Sequence, residues 1–306
     1  MANEIYDTLE KDNIYEINKF KNKDTSFIVF NHINEKNTQY NKKIPDFLPS
    51  PEELENDLEC LRLASSNQIL LHLVEQSSFA YDIDNHGKIM RLVANFKGGG
   101  ANKLATERPE NVDKSSHSGI ALGAHTEAPY HCTTSSEDGH SPAPSSLILT
   151  AKFNPLSEPT TIIPIAPILN KLNFEEILAL TTKNFDFTRS ETFTDGKGAE
   201  GKNTSILDID KMGRFSMKYN SYRFTVNPNA PLFVKKAFKN FELFVNEAKM
   251  IKVSLSPNKT IIINNNTSLH CRDVIKDNRR LLIRLFGYSS DINPIILREQ
   301  PLLIQG

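Results

Sequence analysis

The segment Arg279-Arg280-Leu281-Leu282-Ile283-Arg284-Leu285-Phe286-Gly287-Tyr288 constrains this chain more than any other. It reads as a β-strand. The two-residue period of a strand puts Arg280, Leu282 and Arg284 on one face and Leu281, Ile283 and Leu285 on the other. The second face asks for an apolar layer against it. The first carries two guanidinium groups, which are costly to bury unless anions pair with them. Because a planar guanidinium grips a carboxylate through a bidentate fork, that face could hold two carboxylate-bearing small molecules.

Two further stretches carry donor atoms. Gly123-Ala124-His125-Thr126-Glu127-Ala128-Pro129-Tyr130-His131 contains a His-x-Glu step. On an extended strand residues i and i+2 project to one face, so His125 and Glu127 would stand side by side. A third ligand is available far downstream, where Thr260-Ile261-Ile262-Ile263 runs into the polar turn Asn264-Asn265-Asn266 and on to His270. Two histidines and one carboxylate make the facial triad of non-haem Fe(II) sites, which leaves three coordination positions open. A His-x-Glu step alone is a common chance pattern, and its weight here comes from the arginine strand ten residues beyond His270.

With those residues in view, the chain resembles the clavaminate synthase-like group of Fe(II)/2-oxoglutarate-dependent oxygenases. That group is related to taurine dioxygenase and includes hydroxylases of free arginine and asparagine. The resemblance spans residues 75 to 290. It rests on the His-Thr-Glu step followed by Tyr130-His131, the Asn-rich turn into the distal histidine, His270-Cys271-Arg272, and the Arg280/Arg284 pair. It implies that His125, Glu127 and His270 bind iron and that Arg280 grips the far carboxylate of 2-oxoglutarate, with the Thr150 hydroxyl against the same cosubstrate. It implies too that Arg284 holds the carboxylate of an amino-acid substrate, with Arg272 and His131 also on the substrate side. Fe(II), 2-oxoglutarate and O2 are the implied cofactors. Hydroxylation of an unactivated C–H bond is the implied reaction, with succinate and CO2 as coproducts; desaturation or cyclisation is the alternative within the group. Related halogenases replace the carboxylate by Gly or Ala, so Glu127 speaks against halogenation. Relatives commonly carry Gly where this chain has Cys271 and Trp where it has Leu281, and the loop from His270 to Arg280 is short for the amino-acid hydroxylases.

The rest of the chain suits a mainly β fold with flanking helices, a double-stranded β-helix or jelly-roll barrel whose mouth holds the metal. We expect one domain over residues 1–306: an α/β cap (1–75), a jelly-roll core (76–292) with a helical insert near 230–250, and a C-terminal tail (293–306). In the cap, Ser26–Phe30 reads as a strand. Ser50-Pro51-Glu52-Glu53 is a capping box opening a helix with Leu54, Leu58 and Leu61 on its buried face. Residues 205–219 read as a hairpin turning at Gly213. Pro231 to Met250 reads as a long helix with Phe233, Ala237, Phe241, Phe244 and Ala248 as its core stripe. The glycine run at 97–103 lacks the Gly-Lys-Ser/Thr ending of a phosphate loop, and residues 98–118 read instead as a lid.

Composition narrows the function classes. A net charge of −1 with 24% charged residues gives no basic surplus for nucleic acid. No apolar run reaches the length of a membrane span, and no signal peptide is legible. Cys60, Cys132 and Cys271, odd in number and widely spaced, fit a reducing cytoplasm. The expected partner is a small amino-acid-like molecule. Glu107, Glu110 and Glu137 could meet a basic group on it. His72 and His140 read as structural or surface residues. A zinc-dependent hydrolase on the same ligands and a non-catalytic jelly-roll binding protein stay open, although neither explains the paired arginines.

Overall fold

The computed structural model describes residues 2–31, 44–102, 114–188 and 201–306. In chain order, the helix Lys11–Lys21 leads into β1 (Phe27–Asn31). The helices Pro51–Glu55 and Leu58–Leu73 precede β2 (Gln76–Tyr81), β3 (Arg91–Ala94), β4 (Leu122–His125), β5 (Ser146–Phe153) and β6 (Pro159–Pro164). An insert follows, with the helix Phe174–Leu180, β7 (Phe185–Phe187), β8 (Gly201–Thr204), β9 (Leu207–Ile209), β10 (Phe215–Met217), β11 (Phe224–Val226) and the helix Leu232–Asn246. β12 (Ile251–Ser254), β13 (Lys259–Asn264), β14 (Ser268–Arg272), β15 (Leu281–Ser289), β16 (Ile296–Arg298) and β17 (Leu303–Ile304) complete the chain.

The arginine-bearing strand is β15, and it lies inside the larger sheet, of order β1-β13-β5-β15-β2-β17-β16. β5 covers one edge of it along almost its whole length, while β3 and then β2 share the other. The period-two reading holds. Leu281, Ile283 and Leu285 pack with Ile148 and Ile262 beneath the helices Lys11–Lys21 and Leu58–Leu73. Leu282 and Phe286 point the opposite way, into a second core shared with Ile162 and Val253 of the smaller sheet, β12-β6-β14-β4. Each such aliphatic side chain contributes roughly 1.5–3 kcal/mol on full burial. The outer face of the smaller sheet, at Ile163 and Leu269, is covered by the insert. The architecture is therefore mainly β, two facing sheets with helices on the outside. β1 pairs with β13 and β17 runs parallel to β2, so cap and tail each give a strand to the larger sheet.

Two helical faces differ from expectation. The capping box forms, with Ser50 and Glu53 satisfying one another's backbone N–H groups, but the helix ends at Asn56 and Asp57 caps a new one through the Cys60 N–H. That break resets the phase. Cys60, Leu63, Ala64, Leu70 and Leu71 turn inward, while Leu58 is 83% and Leu61 42% exposed. In the helix Leu232–Asn246 the buried stripe is Val234, Ala237, Phe238, Phe241 and Val245, with Phe233 outside. The sequence offers two overlapping apolar stripes there, and contact with the helix Phe174–Leu180 and the smaller sheet selects between them. The hairpin forms as β9 and β10, turning at Gly213 with φ 75°. Among the described residues no helix is long and apolar enough to cross a membrane.

Candidate active site

β4 and β14 are neighbours in the smaller sheet, and their register sets His125 directly opposite His270, with ring centroids 4.1 Å apart. β4 passes close to the insert. A Cβ on Gly123 would lie 2.4 Å from Ser221 Oγ and 2.9 Å from the Tyr222 ring, so the strand needs glycine there. Glu127 does not arrive as the continuation of one strand, because β4 stops at His125 and Ala128 turns the chain with φ 44°. Asn265 fixes that turn. Its Oδ1 accepts the Glu127 N–H at 2.7 Å, and its Nδ2 donates to the carbonyls of Glu127 (3.1 Å) and Pro144 (2.9 Å). The ligand atoms of His125, Glu127 and His270 then all lie within 4.8 Å of one another.

The electrostatics suit a divalent cation. His125 Nδ1 lies 2.7 Å from the Gly123 carbonyl, and this hydrogen bond assigns the proton to Nδ1 and the lone pair to Nε2. Burial, with the His270 charge next, pushes the His125 imidazolium down to about 3, so the ring is neutral at ordinary pH. Burial raises the Glu127 carboxyl, but Arg284 and then His270 outweigh it, and the group is held well below the usual carboxylate range. His270 Nε2 lies 3.6 Å from Glu127 Oε1. Two imidazoles and one carboxylate match the ligand preferences of a first-row metal.

Two cavities meet at these residues. The smaller, about 60 Å³, runs between the sheets behind His270 and is walled by Val93, Leu147, Leu149, Thr160, Leu282, Arg272 and Arg280. Arg280 is 2% exposed and its buried Nη1 has no hydrogen-bond partner. Such an orphaned cation is expensive unless an anion completes it. The larger cavity, about 120 Å³, opens on the other side of Glu127 past Asp84, Arg91, Lys114, Tyr130, Tyr222 and Arg284. Arg284 borders both. Its Nη1 donates to Glu127 Oε1 at 2.9 Å, its Nη2 lies 3.4 Å from Asp84 Oδ2, and its plane rests 4.1 Å over the Phe286 ring.

Several expected residues lie elsewhere or act differently. Thr150 sits on β5 facing the helices, where its hydroxyl donates to Asn67 Oδ1 at 2.6 Å and meets Thr260 Oγ1 at 2.6 Å. Thr160, on β6 of the facing sheet, places a hydroxyl in the small cavity's wall. Arg272 reaches that wall, but its N–H groups go to the carbonyls of Ser115, Ser116 and Ile120, so it braces the 115–120 segment. Burial and the Arg280 charge push it down to about 9, still a cation at neutral pH. His131 is buried behind Tyr130 and against Tyr81, and lines neither cavity. Glu137 is a surface residue paired with Lys183, while Glu107, Glu110 and most of the expected lid fall outside the described residues. Among those described, no cysteine joins the donor cluster. Sequence reading passed over Arg91, Asp84 and Asn265. Arg91 had a signal, an arginine inside the apolar run from Ile89 to Val93.

No protein-family model and no curated protein sequence matches the chain. Solved structures do. The non-haem iron oxygenase OrfP in complex with Fe and α-ketoglutaric acid aligns over 92% of this chain and 81% of its own, with TM-score 0.65 at 17% identity. Asparagine oxygenase in complex with Fe(II), (2S,3S)-3-hydroxyasparagine and succinate aligns over 95% and 83%, with TM-score 0.67 at 12% identity. The fold is that of the non-haem iron oxygenases. OrfP has also been solved with Fe, succinate and (3S)-hydroxy-L-Arg, which aligns with TM-score 0.61 at 18% identity over 92% and 81% of the two chains. In this oxygenase fold His125 and His270 sit on the smaller sheet with Glu127 just beyond β4, while Arg284 of β15 and Arg280, immediately before that strand, belong to the larger one.

Proposed function

We propose that the chain is an Fe(II)/2-oxoglutarate-dependent oxygenase that hydroxylates a free L-amino acid or an amino-acid-derived small molecule. One observation carries this reading: a two-histidine, one-carboxylate donor cluster borders a largely apolar cavity in which Arg280 presents a buried, unpaired N–H. His125 and His270 would hold the metal through Nε2 and Glu127 through its carboxylate. Arg280 and Thr160 would take the far carboxylate of the cosubstrate, and Val93, Leu147, Leu149 and Leu282 would keep water from it. When bound, ferrous iron and 2-oxoglutarate supply the oxidising chemistry, activating O2 while the keto acid becomes succinate and CO2. The protein's own part is to aim the C–H bond, and Arg284 would anchor the substrate carboxylate at the junction of the two cavities. We read the two facing sheets as the halves of a double-stranded β-helix, and the three free cysteines as those of a cytoplasmic protein.

The test is anaerobic. Addition of Fe(II) and 2-oxoglutarate to the enzyme is expected to give the visible metal-to-keto-acid charge-transfer band, and a free amino acid is expected to perturb it. The absence of a band would overturn the reading and favour zinc or a retired site.

A further inference from the structure

Arg91 and Arg284 stand directly opposite one another in the β3–β15 pairing. Like charges at such a position destabilise a sheet, yet both side chains are buried and both line the larger cavity. One carboxylate serves the two of them: Asp84 accepts from Arg91 Nη1 through one oxygen and lies 3.4 Å from Arg284 Nη2 through the other. The remaining counter-charge is Glu127, which the proposed metal would engage. Lys114 adds a third positive group at the mouth, its Nζ 3.4 Å from the centroid of the Tyr222 ring. Among the described residues, no carboxylate other than Asp84 and Glu127 lines this cavity. Among the described residues, a guanidinium or ammonium side chain entering it finds no acid to spare, whereas an anionic side chain finds donors.

We propose that the prime substrate is an L-amino acid with an anionic side chain, of the aspartate or glutamate kind, and that Arg91 and Lys114 recognise its second carboxylate. The proposal rests on the iron/2-oxoglutarate reading above and refines it. Arg284 takes the α-carboxylate. Arg91, one strand over and held in orientation by Ser116 Oγ at 2.8 Å from its Nε, faces the rest of the molecule. A basic amino acid is rejected because its charged tip would be desolvated against a wall whose described residues offer it no unshared carboxylate.

The experiment uses the full-length enzyme with Fe(II) and 2-oxoglutarate under anaerobic conditions, reading the charge-transfer band. L-Aspartate, L-glutamate, L-asparagine, L-glutamine, L-arginine and L-lysine are titrated separately. One acidic amino acid is expected to perturb the band with affinity about tenfold or more above that of its own amide, the worth of a charge-assisted hydrogen bond. Arginine and lysine are expected to leave it unchanged. Arg91→Gln is expected to reduce the acid-over-amide ratio by about tenfold. Lys114→Ala, at an exposed position where folding is not at stake, is expected to reduce it by about threefold, in keeping with a solvent-screened charge. A band that responds equally to acid and amide, or responds best to arginine or lysine, overturns this proposal and leaves the parent reading intact; a band that responds to none of the six overturns it and leaves of the parent reading the iron and 2-oxoglutarate site. An acid-over-amide ratio unchanged in the Lys114 variant, and in the Arg91 variant if it folds, also overturns it. If no band forms at all, both readings fall.

Discussion

At the scale of single residues, the site separates groups that hold from groups that orient. His125→Ala and His270→Ala each remove one of three donors and are expected to abolish iron-dependent succinate formation while circular dichroism stays that of the parent. Normal turnover in either variant would sink the metal assignment. Arg280 and Arg284 share a face four residues apart, but Arg280 lines only the smaller cavity while Arg284 borders both. Arg280→Ala is expected to raise the 2-oxoglutarate requirement by about tenfold or more, the loss of a charge-assisted bond, whereas Arg284→Ala is expected chiefly to weaken the amino acid. Steady-state titration of each ligand distinguishes this from the reverse pattern. The two threonines give a further contrast. Thr150→Val removes the donor to the buried Asn67 Oδ1 and is expected to cost about 1–3 kcal/mol of stability with little effect on 2-oxoglutarate. Thr160→Val should do the opposite, raising the 2-oxoglutarate requirement at little cost in unfolding free energy.

At the scale of elements, the site depends on a turn gripping a strand end. β4 delivers His125 by register, but Glu127 lies beyond the strand and is positioned by the side chain of Asn265 at the start of the β13–β14 turn. Asn265→Ala removes an acceptor and two donations at once, leaving buried backbone groups of Glu127 and Pro144 unpaired. We expect about 2–4 kcal/mol of destabilisation together with weaker iron binding, measured by urea unfolding and by metal titration in the absence of substrate. Unchanged iron affinity would show that Glu127 keeps its place without this clamp. The helix Leu58–Leu73 illustrates the same dependence of phase on a terminus: Asp57 starts a new helix after Asn56, and the buried face is counted from that cap.

For the molecule as a whole, burial of imidazoles links folding to pH. Burial, with the Arg91 charge next, pushes the His117 imidazolium down to about 4 from 6.5. The unfolded chain therefore takes up protons at this residue before the folded chain does. Its contribution is complete above pH 6.5 and declines as pH falls from there toward 4, because protonation then favours the unfolded state. A displacement of this size corresponds to about 3 kcal/mol. Urea unfolding of the chelator-treated protein is expected to give lower stability at pH 5 than at pH 7.5, and His117→Asn is expected to shrink that difference; an undiminished difference would assign it elsewhere. The sequence by itself determined the chemistry available: the His-x-Glu step, the distal histidine and the two-residue alternation of β15, all of which follow from local order and residue type. It also marked the Asn-rich turn without revealing what the turn does. Only the tertiary structure decided that Thr150 faces the helices and Thr160 the cavity, that Arg272 braces a loop, that His131 packs behind Tyr130, and that Arg91 stands opposite Arg284. Those roles depend on which distant strand or loop supplies the partner across 50 to 200 residues of chain, and local periodicity carries no record of that pairing.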